Sequence, residues 1–530
     1  MNSKTKIFYN GKIFTSNSIT PYASAMVVSD GIITWVGKDD EIPNIEGERI
    51  DMKRRRVLPG FIDGHVHPLM LAEATVQIPC APPLVNSIED ILEQIRLRRK
   101  EQENDKWIEG WGYDEGKLKE GRAPNRWDLD MACPDVPVVI VRSCYHIVSV
   151  NSKALELAGI DKNTPDPQGG QIDRDSNGEP TGILRENARH LILNILPKRS
   201  KTDNLKLLTN LSKKLLSYGI TTIADAYSRL EPDYYDLYNE ASHSGMKQRI
   251  LLYYDWHELK NQKVFDESKT NSKDKVWVRG IKIIGDGSIS GKTAWVKPGY
   301  FRDEQNLGLP TTSKEELLEA YEYAKKHGLQ LSVHAMGEQT IDLIVNTFYD
   351  INGWLKDAPS IRIEHAAMPT ENALLKAARS HMAFVTQPIF SYAEIESYIR
   401  NLGDERTKKT YPFKKILDSS IKMSFSSDAP ATAWTDPANP FVGIKSAVTR
   451  TAYDGTDIGR DQKIDVERAI LLYTREAQQI LGIPKVGQLT PGYRADFAVI
   501  KDDILNIPES MIDNVKVEET YIDGELVYEA

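Results

Sequence analysis

The first residues that suggest chemistry are His65 and His67, two positions apart at the end of the apolar run VLPGFIDGHVHP at residues 57–68. On a β-strand, residues i and i+2 point to the same face, so both imidazoles would converge on one point. Two converging neutral imidazoles suit a divalent metal ion. Two core histidines satisfied by hydrogen bonds are the alternative, and the pair taken alone favours this alternative.

Four further polar residues follow other apolar runs and could complete such a site: Lys282, His334, His365 and Asp428. Each also has an ordinary explanation. Lys282 could reach solvent, the two histidines could belong to the core, and Asp428 could cap a helix. Taken together, burying four imidazoles, an amine and a carboxylate without partners would be costly. We therefore predict a metal site.

These residues need a scaffold that brings them together, and an alternation of helix-like and strand-like segments supplies one. Eight short apolar strands, most of them separated by a helix, are predicted at residues 57–67, 219–227, 249–256, 276–288, 329–337, 361–367, 382–388 and 421–430. Eight such units predict an α/β fold, a closed (β/α)8 TIM barrel, whose catalytic residues collect at the carboxyl ends of the strands. A doubly wound open sheet is the competitor, but no GxGxxG motif follows an early strand.

Two parts of the chain do not follow this alternation. Residues 1–56 and 486–530 carry short β-like runs, and because chain termini often lie close together we predict one small β-sandwich domain formed by both ends. The barrel would then occupy residues 57–485. Residues 69–202 are far longer than the usual connection of about 2–6 residues, so we predict an inserted lid or wall of a substrate pocket.

The composition of the 530-residue chain argues against several classes of function. A net charge of −9 argues against nucleic acid, and no apolar run approaches the roughly 20 residues of a membrane span. The start, MNSKTKIFYNGKIF, lacks the apolar core of a secretory signal. Cys80, Cys133 and Cys144 have no CxxC spacing and are predicted to be free thiols in a reducing cytoplasm.

The ordered set of HxH, Lys, His, His and Asp on strands 1, 4, 5, 6 and 8 resembles the amidohydrolase superfamily. The tail GYRADFAVI is similar to the β-domain that closes many of its members. Within the superfamily, the chain resembles the amidohydrolase-3, or YtcJ-like, group of metal-dependent hydrolases. The matching stretches are WIEGWGYDEG, PNRWDLDMACPDVPVVIVRSCYHIVSVNSKALELAGI, GGQIDRDSNGEPTGIL and IKIIGDGSISGKTA, and the resemblance covers almost the whole chain.

This resemblance implies a binuclear zinc hydrolase of carbon–nitrogen bonds, and N-substituted formamides and related amides are among the group's substrates. The implied ligands fall into three sets: His65 and His67 with Asp428 at the first metal, His334 with His365 at the second, and Lys282, carboxylated on its amine, between the two. The chemistry of lysine agrees, because burial lowers its pKa and the neutral amine can add carbon dioxide to give a carbamate with two hard oxygens. Superfamily members differ in whether one or both metal positions are filled, so the number of metals stays open.

Catalytic roles follow from this assignment. A bound metal lowers the pKa of its water toward neutrality, which makes hydroxide available. Asp428 would accept a proton from that water and deliver it to the leaving nitrogen. His146, which matches the family's histidine in the insertion, would donate a hydrogen bond to the developing oxyanion, or else be a structural histidine of the lid.

Four further residues are candidates for contact with the substrate or for support of the site. Trp111, Tyr113 and Trp295 could form an apolar wall, and ordinary packing explains each of them as well. Asp286, in the motif GDGS just after Lys282, could support the site, or it could be a turn residue between two glycines.

Three functions compete. The first is hydrolysis of a non-peptide C–N bond in an amide or N-substituted formamide by metal-activated hydroxide, and the second is hydrolysis of an ester or organophosphate by the same centre. The third is a non-catalytic binding protein on the same barrel, which would be expected to have lost ligands, and none of the six is lost. The expected partner is a small-molecule substrate, with no nucleic acid and no membrane, and a homodimer is left open.

Overall fold

The computed structural model describes residues 5–102, 106–143, 145, 147–167, 170–197, 199–262 and 264–530. The chain divides into two compact units. The first comprises Met1–Pro68, Leu208–Asp428 and Ala438–Ala530, and the second comprises Leu69–Leu207 and Ala429–Pro437.

Eight parallel strands form the central sheet of the first unit. They are β1 (Phe61–Val66), β2 (Ile220–Ser228), β3 (Arg249–Asp255), β4 (Val276–Ile284), β5 (Gln330–Ala335), β6 (Ile361–His365), β7 (Ala383–Thr386) and β8 (Lys422–Phe425). Each strand pairs with the next in sequence order. The last strand returns to the first, where the backbone N–H of Asp428 donates to the carbonyl of His65 at 2.7 Å. The (β/α)8 TIM barrel is confirmed, and the open doubly wound sheet is wrong.

The apolar run at residues 57–67, predicted as a single strand, serves two different sheets. Arg56–Pro59 pairs with strands of the β-sandwich, and Phe61–Val66 is the first barrel strand. Gly60 separates them, and a Cβ atom there would meet the Thr221 hydroxyl at 2.3 Å. Only glycine fits this close approach, so the bend at Pro59-Gly60 directs one apolar segment into two cores.

Strands from both ends of the chain form the β-sandwich. One sheet has the order Ile32–Gly37, Ala25–Ser29, Thr5–Tyr9 and Glu48–Asp51, and the other has the order Glu525–Glu529, Val517–Ile522, Phe497–Ile500, Arg56–Pro59, Lys12–Phe14 and Tyr22–Ala23. Phe8 of the first sheet packs edge-on against Phe497 and Tyr521 of the second, with ring centroids 5.1 and 5.4 Å apart. The predicted β-sandwich built from both termini is therefore present, while the residue boundaries of the domains stay a prediction.

Helices complete the first unit. They are Tyr234–His243, Trp256–Leu259, Lys314–His327, Glu338–Phe348, Glu371–Arg379, Pro388–Ala393, Ile395–Leu402, Asp404–Thr407, Phe413–Asp418, Pro440–Thr449, Val466–Leu472 and Arg475–Leu481, with 3-10 turns at Asp39–Glu41, Glu267–Thr270, Arg460–Gln462 and Glu509–Asn514. Helix Lys201–Leu216 runs from the second unit into the first. In the helix before β5, the Ser313 hydroxyl accepts the Glu316 N–H and Gly328 ends the helix at φ +65°. Within the described residues, no helix has the length and apolar character needed to cross a membrane.

The second unit has its own six-stranded sheet. Its strands run in the order Gly170–Arg174, Pro180–Glu186, Ile147–Val150, Val138–Arg142, Ile108–Tyr113 and Ile78–Pro79. Its helices are Ile88–Glu101, Arg126–Ala132, Ser152–Ala158 and His190–Leu193, with a 3-10 turn at Asn187–Arg189, and Pro68–Ala74 leads into it. Side chains on both faces are buried, with Ile140 in one apolar cluster and Val139 in another. The predicted insertion therefore has its own core.

Candidate metal centre

The barrel brings the predicted ligands to the carboxyl ends of five strands. His65 lies near the end of β1, with His67 directly after it, and His365 is the last residue of β6. Lys282 lies on β4, His334 on β5, and Asp428 follows β8. His65, Lys282, His365 and Asp428 are at most 6% exposed. Charged and polar side chains at this depth need partners.

Asp428 is the point on which three of the histidines converge. Its Oδ1 lies 2.9 Å from His67 Nε2 and 3.2 Å from His65 Nε2, and its Oδ2 lies 4.0 Å from His365 Nδ1. One ligand atom from each of His65, His365 and Asp428 lies within 4.8 Å of the others. Asp428 and His365 adopt φ values of +55° and +68°, the left-handed region that favours glycine. Backbone strain of this kind in non-glycine residues is concentrated at functional sites.

His334 extends the cluster on the other side. Its ring centroid is 4.4 Å from that of His365, which in turn is 5.0 Å from that of His65. Burial, together with the neighbouring His334, holds the pKa of His365 well below its usual range. His365 is therefore a neutral imidazole, the form that binds metals.

The outward nitrogens of three histidines have hydrogen-bond partners. His65 Nδ1 lies 2.6 Å from Glu364 Oε2, His365 Nδ1 lies 2.7 Å from Gln387 Oε1, and His334 Nε2 lies 3.0 Å from the Gly287 carbonyl. Each acceptor fixes a proton on the nitrogen that it faces, which leaves the other ring nitrogen with a free lone pair. Such partners orient an imidazole for metal binding.

Lys282 is the cation of the cluster. It is 2% exposed, and among the described residues its amine has no hydrogen bond or ion pair. Burial lowers its pKa to about 8, against the opposing influence of Glu364 and Asp428. A neutral fraction of the amine, about a tenth at pH 7, is therefore available for carboxylation.

The residues just before His365 form a buried ion pair that the sequence analysis missed. Glu364 accepts hydrogen bonds from Arg362, from His65 and from the Ser332 hydroxyl at 2.7 Å, and both charged residues are fully buried. Arg362 also donates to the Gly64 carbonyl at 2.8 Å. Burial opposes ionisation of Glu364, but Arg362 and His65 outweigh it and hold its pKa far below its usual range. The sequence does contain a sign of this ion pair, since Arg362 and Glu364 carry opposite charges two positions apart in the apolar strand IRIEH.

Asp286 and Trp295 lie beside the cluster. The Asp286 carboxylate accepts backbone N–H groups of Trp295, Met336 and Gly337 at 2.9 Å each, and its Oδ1 is 3.4 Å from His334 Nε2. These bonds tie the loop after β4 to the end of β5. The side chain of Trp295 is half-buried.

The remaining predicted site residues belong to the second unit. Trp111 and Tyr113 lie on strand Ile108–Tyr113, where Trp111 is 3% exposed and Tyr113 is fully buried. The Tyr113 hydroxyl forms a hydrogen bond with Ser149 at 3.0 Å. His146 and Cys144 lie outside the described residues.

The donor set fits a divalent metal. With its Nδ1 proton directed to Glu364, His65 presents a lone pair on Nε2, and that lone pair faces Asp428 Oδ1 at 3.2 Å. Two acceptors at this distance repel unless a proton or a metal cation lies between them. Imidazole nitrogens with carboxylate oxygen are the ligands of zinc and related ions.

Comparisons with known proteins give one consistent result. The amidohydrolase family model matches residues 48–528. The protein named "Putative amidohydrolase YtcJ" of Bacillus subtilis (strain 168) is 29% identical over 540 residues, which cover 99% of each chain. The N-substituted formamide deformylase of Arthrobacter pascens is 26% identical, covering 98% of this chain and 97% of its own. The crystal structure of an uncharacterized metal-dependent hydrolase from Pyrococcus furiosus is 27% identical, with a TM-score of 0.72, covering 95% of this chain and 100% of that one.

Proposed function

We propose that this protein cleaves a carbon–nitrogen bond other than a peptide bond. The chain belongs to the amidohydrolase family and is a metal-dependent hydrolase. The proposed substrate is an N-substituted formamide or a related amide. The observation that carries the metal chemistry is the buried acceptor pair of His65 Nε2 and Asp428 Oδ1 at 3.2 Å. The choice of a C–N bond is supported by the formamide deformylase that aligns over nearly the whole chain.

The metal would be held by the six predicted ligands, with His65, His67 and Asp428 at one position and His334 and His365 at the second. A divalent ion, proposed to be zinc, would lower the pKa of a bound water and polarise the substrate carbonyl. Lys282 would lie between the two positions as a carbamate. Its neutral amine adds to the carbon of carbon dioxide, one proton leaves, and the product has two oxygens that share one negative charge.

Asp428 would move the proton. Burial opposes ionisation of Asp428, but positive charge on His65 and His67 outweighs burial and holds the pKa of Asp428 well below its usual range. A metal cation held by the same imidazoles would act in the same direction, so Asp428 is a carboxylate. The reaction consumes one water, whose oxygen bonds to the carbonyl carbon. One proton passes to Asp428 and from there to the leaving nitrogen as the C–N bond breaks. Glu364 and Gln387 would keep His65 and His365 in the correct orientation throughout.

The setting of the reaction is part of the proposal. The partner would be a small-molecule substrate, and the compartment would be the cytoplasm. Cys80 and Cys133 support a reducing compartment, since both are buried free thiols.

The test combines metal analysis with matched substrates. Purified protein should contain about one or two equivalents of divalent metal and should cleave an N-substituted formamide faster than the corresponding formate ester. His65→Ala should lose both metal and turnover. His243→Ala, which changes an exposed histidine on the surface, should keep both. Folded protein without metal, or an ester turned over about tenfold faster than the formamide, would overturn the proposal.

A further inference from the structure

A second cluster of charged side chains surrounds a cleft of about 300 Å³ at the opposite end of the barrel. It lies where β3 and β4 begin, beside the turn that joins the last two strands of the β-sandwich. Its charged lining consists of Lys247, Arg249, Lys273, Lys275, Arg494 and Asp523. The volume is at the lower end of the range of about 300–1,000 Å³ that is typical of small-molecule sites.

The two arginines of this cleft already have anionic partners. Asp523 Oδ1 accepts from both Arg249 and Arg494 at 2.7 Å. Arg249 also donates to Asp496 at 3.1 Å, and Asp496 is buried behind the cleft. The arginines and the two carboxylates therefore neutralise one another.

The three lysines have no such partners. Within the described part of the chain, Lys247 and Lys273 form no side-chain hydrogen bond or ion pair, and Lys275 donates to the Met246 carbonyl at 2.8 Å. Burial, together with the adjacent Lys247 and Arg249, lowers the pKa of Lys275 to about 8. Five cations face two carboxylates, and the excess of positive charge stands out in a chain of net charge −9.

We propose that this cleft is a binding site for a small phosphate-bearing anion, separate from the metal centre at the other end of the barrel. A compact ammonium group is a common phosphate ligand, and three of them around one cavity suit an anion with more than one negative charge. The apolar side chains of Ile522 and Val527 line the same cleft, next to the charged groups. Free diphosphate and an organic diphosphate share the chemistry that the lysines recognise.

Calorimetric titration of the metal-loaded protein tests this site with two probes, inorganic pyrophosphate and adenosine diphosphate. The cleft variant is Lys247→Glu with Lys273→Glu, because both lysines are exposed and their replacement leaves the core intact. The matched control is Lys326→Glu with Lys409→Glu, which makes the same change of charge on exposed lysines elsewhere in the same unit. Lys247→Gln with Lys273→Gln provides a milder change if the first variant does not fold.

For at least one probe, the dissociation constants of the wild type and the control variant should agree within about twofold. Binding to the cleft variant should be at least about tenfold weaker, and potassium chloride should weaken wild-type binding because salt screens charges. Equal affinity for both probes would show that the diphosphate alone is recognised. Tighter binding of adenosine diphosphate than of pyrophosphate would show that the apolar side chains of Ile522 and Val527 contribute. Undiminished binding to the cleft variants would place the anion elsewhere, for example at the metal centre, and would overturn the proposal, as would the absence of binding to the wild type.

Discussion

The two ends of the barrel contain ion clusters of opposite sign. Toward the carboxyl ends of the strands, buried carboxylates outnumber buried cations: Asp63, Asp225, Asp255, Asp286, Glu364 and Asp428 against Lys282 and Arg362. At the amino ends, five cations face two carboxylates. Because an unbalanced buried charge favours a counter-ion, the first end is suited to a metal cation and the second to an anion.

Both ends contain buried carboxylates, and the two ends differ in the groups that these carboxylates contact. Glu364 accepts a hydrogen bond from His65 Nδ1, and this arrangement leaves the other imidazole nitrogen free to bind a metal. Asp496 and Asp523 are instead occupied by Arg249, which joins the start of β3 to the β-sandwich. Glu364 also pairs with Arg362, so the imidazole is what distinguishes it: a buried carboxylate that faces an imidazole orients a binding group, whereas Asp496, whose charged partner is Arg249, connects two parts of the fold.

The largest effect is expected at Lys282. If its carbamate lies between two cations, Lys282→Ala removes both oxygens and leaves two positive charges about 3.5–4 Å apart, the usual spacing of two-metal sites. The variant should lose at least one metal and nearly all turnover, as measured by metal analysis and a kinetic assay. Wild-type protein that has been stripped of metal and decarboxylated at low pH should need bicarbonate for reconstitution.

Small carboxylates provide the control for this variant. Acetate or propionate can enter the space that the lysine leaves and supply two oxygens, so both should partly restore metal content and turnover of Lys282→Ala. A fully active Lys282→Ala without added carboxylate would exclude the bridge, and the centre would then hold a single metal.

Asp428→Asn separates metal binding from proton transfer. The amide keeps one oxygen for the metal but cannot shuttle a proton, and general acid–base catalysis is worth roughly 10²–10⁴-fold. We expect most of the metal to remain while kcat falls by about this factor. Turnover near that of the wild type would exclude Asp428 as the proton carrier.

Arg249→Met tests the connecting role of the amino end. Removal of this cation leaves Asp496 buried without its charged partner, and breaking a buried pair costs about 3–5 kcal/mol. Denaturant unfolding should show this loss, and metal content should not change. Arg494→Met is the matched control: it donates to the same oxygen of Asp523 at the same 2.7 Å distance but is more exposed, so its cost should stay below about 1 kcal/mol. If both variants lost the same free energy of unfolding, burial would not distinguish the ion pairs of Arg249 from that of Arg494.

The eight strands and the positions of the six candidate ligands along them could be predicted from the sequence, because an apolar run and the polar residue near its end are local signals. The partners of those ligands could not. His65 and Glu364 are 299 positions apart, and only the folded barrel brings them within 2.6 Å. Asp286 illustrates a different limit, since its three bonds to backbone N–H groups depend on loop geometry that residue types do not encode. Likewise, the aromatic character of Tyr113 did not reveal that its side chain is fully buried in the insertion.

Glu364→Gln is expected to have the smallest effect, and it tests most directly whether the carboxylates at the two ends of the barrel have different roles. Three donors surround Glu364, from His65, Arg362 and Ser332, and an amide has only one oxygen with which to accept them. His65 then loses the acceptor that fixes its proton on Nδ1. Loss of such a partner typically weakens metal binding about 10–100-fold, which competition with a chelator would measure.

Ser332→Ala separates this positioning role from a general structural one. It removes one donor from Glu364 but leaves His65 and its hydrogen bond in place. Both variants should lower the free energy of unfolding of the metal-free protein, since each disturbs a buried hydrogen bond. Only Glu364→Gln should also lower metal affinity, because only that change frees the imidazole to adopt the other tautomer. If Glu364→Gln were less stable but bound metal as tightly as the wild type, Glu364 would stabilise the barrel in the way that Asp496 does, and the two ends would differ in charge alone.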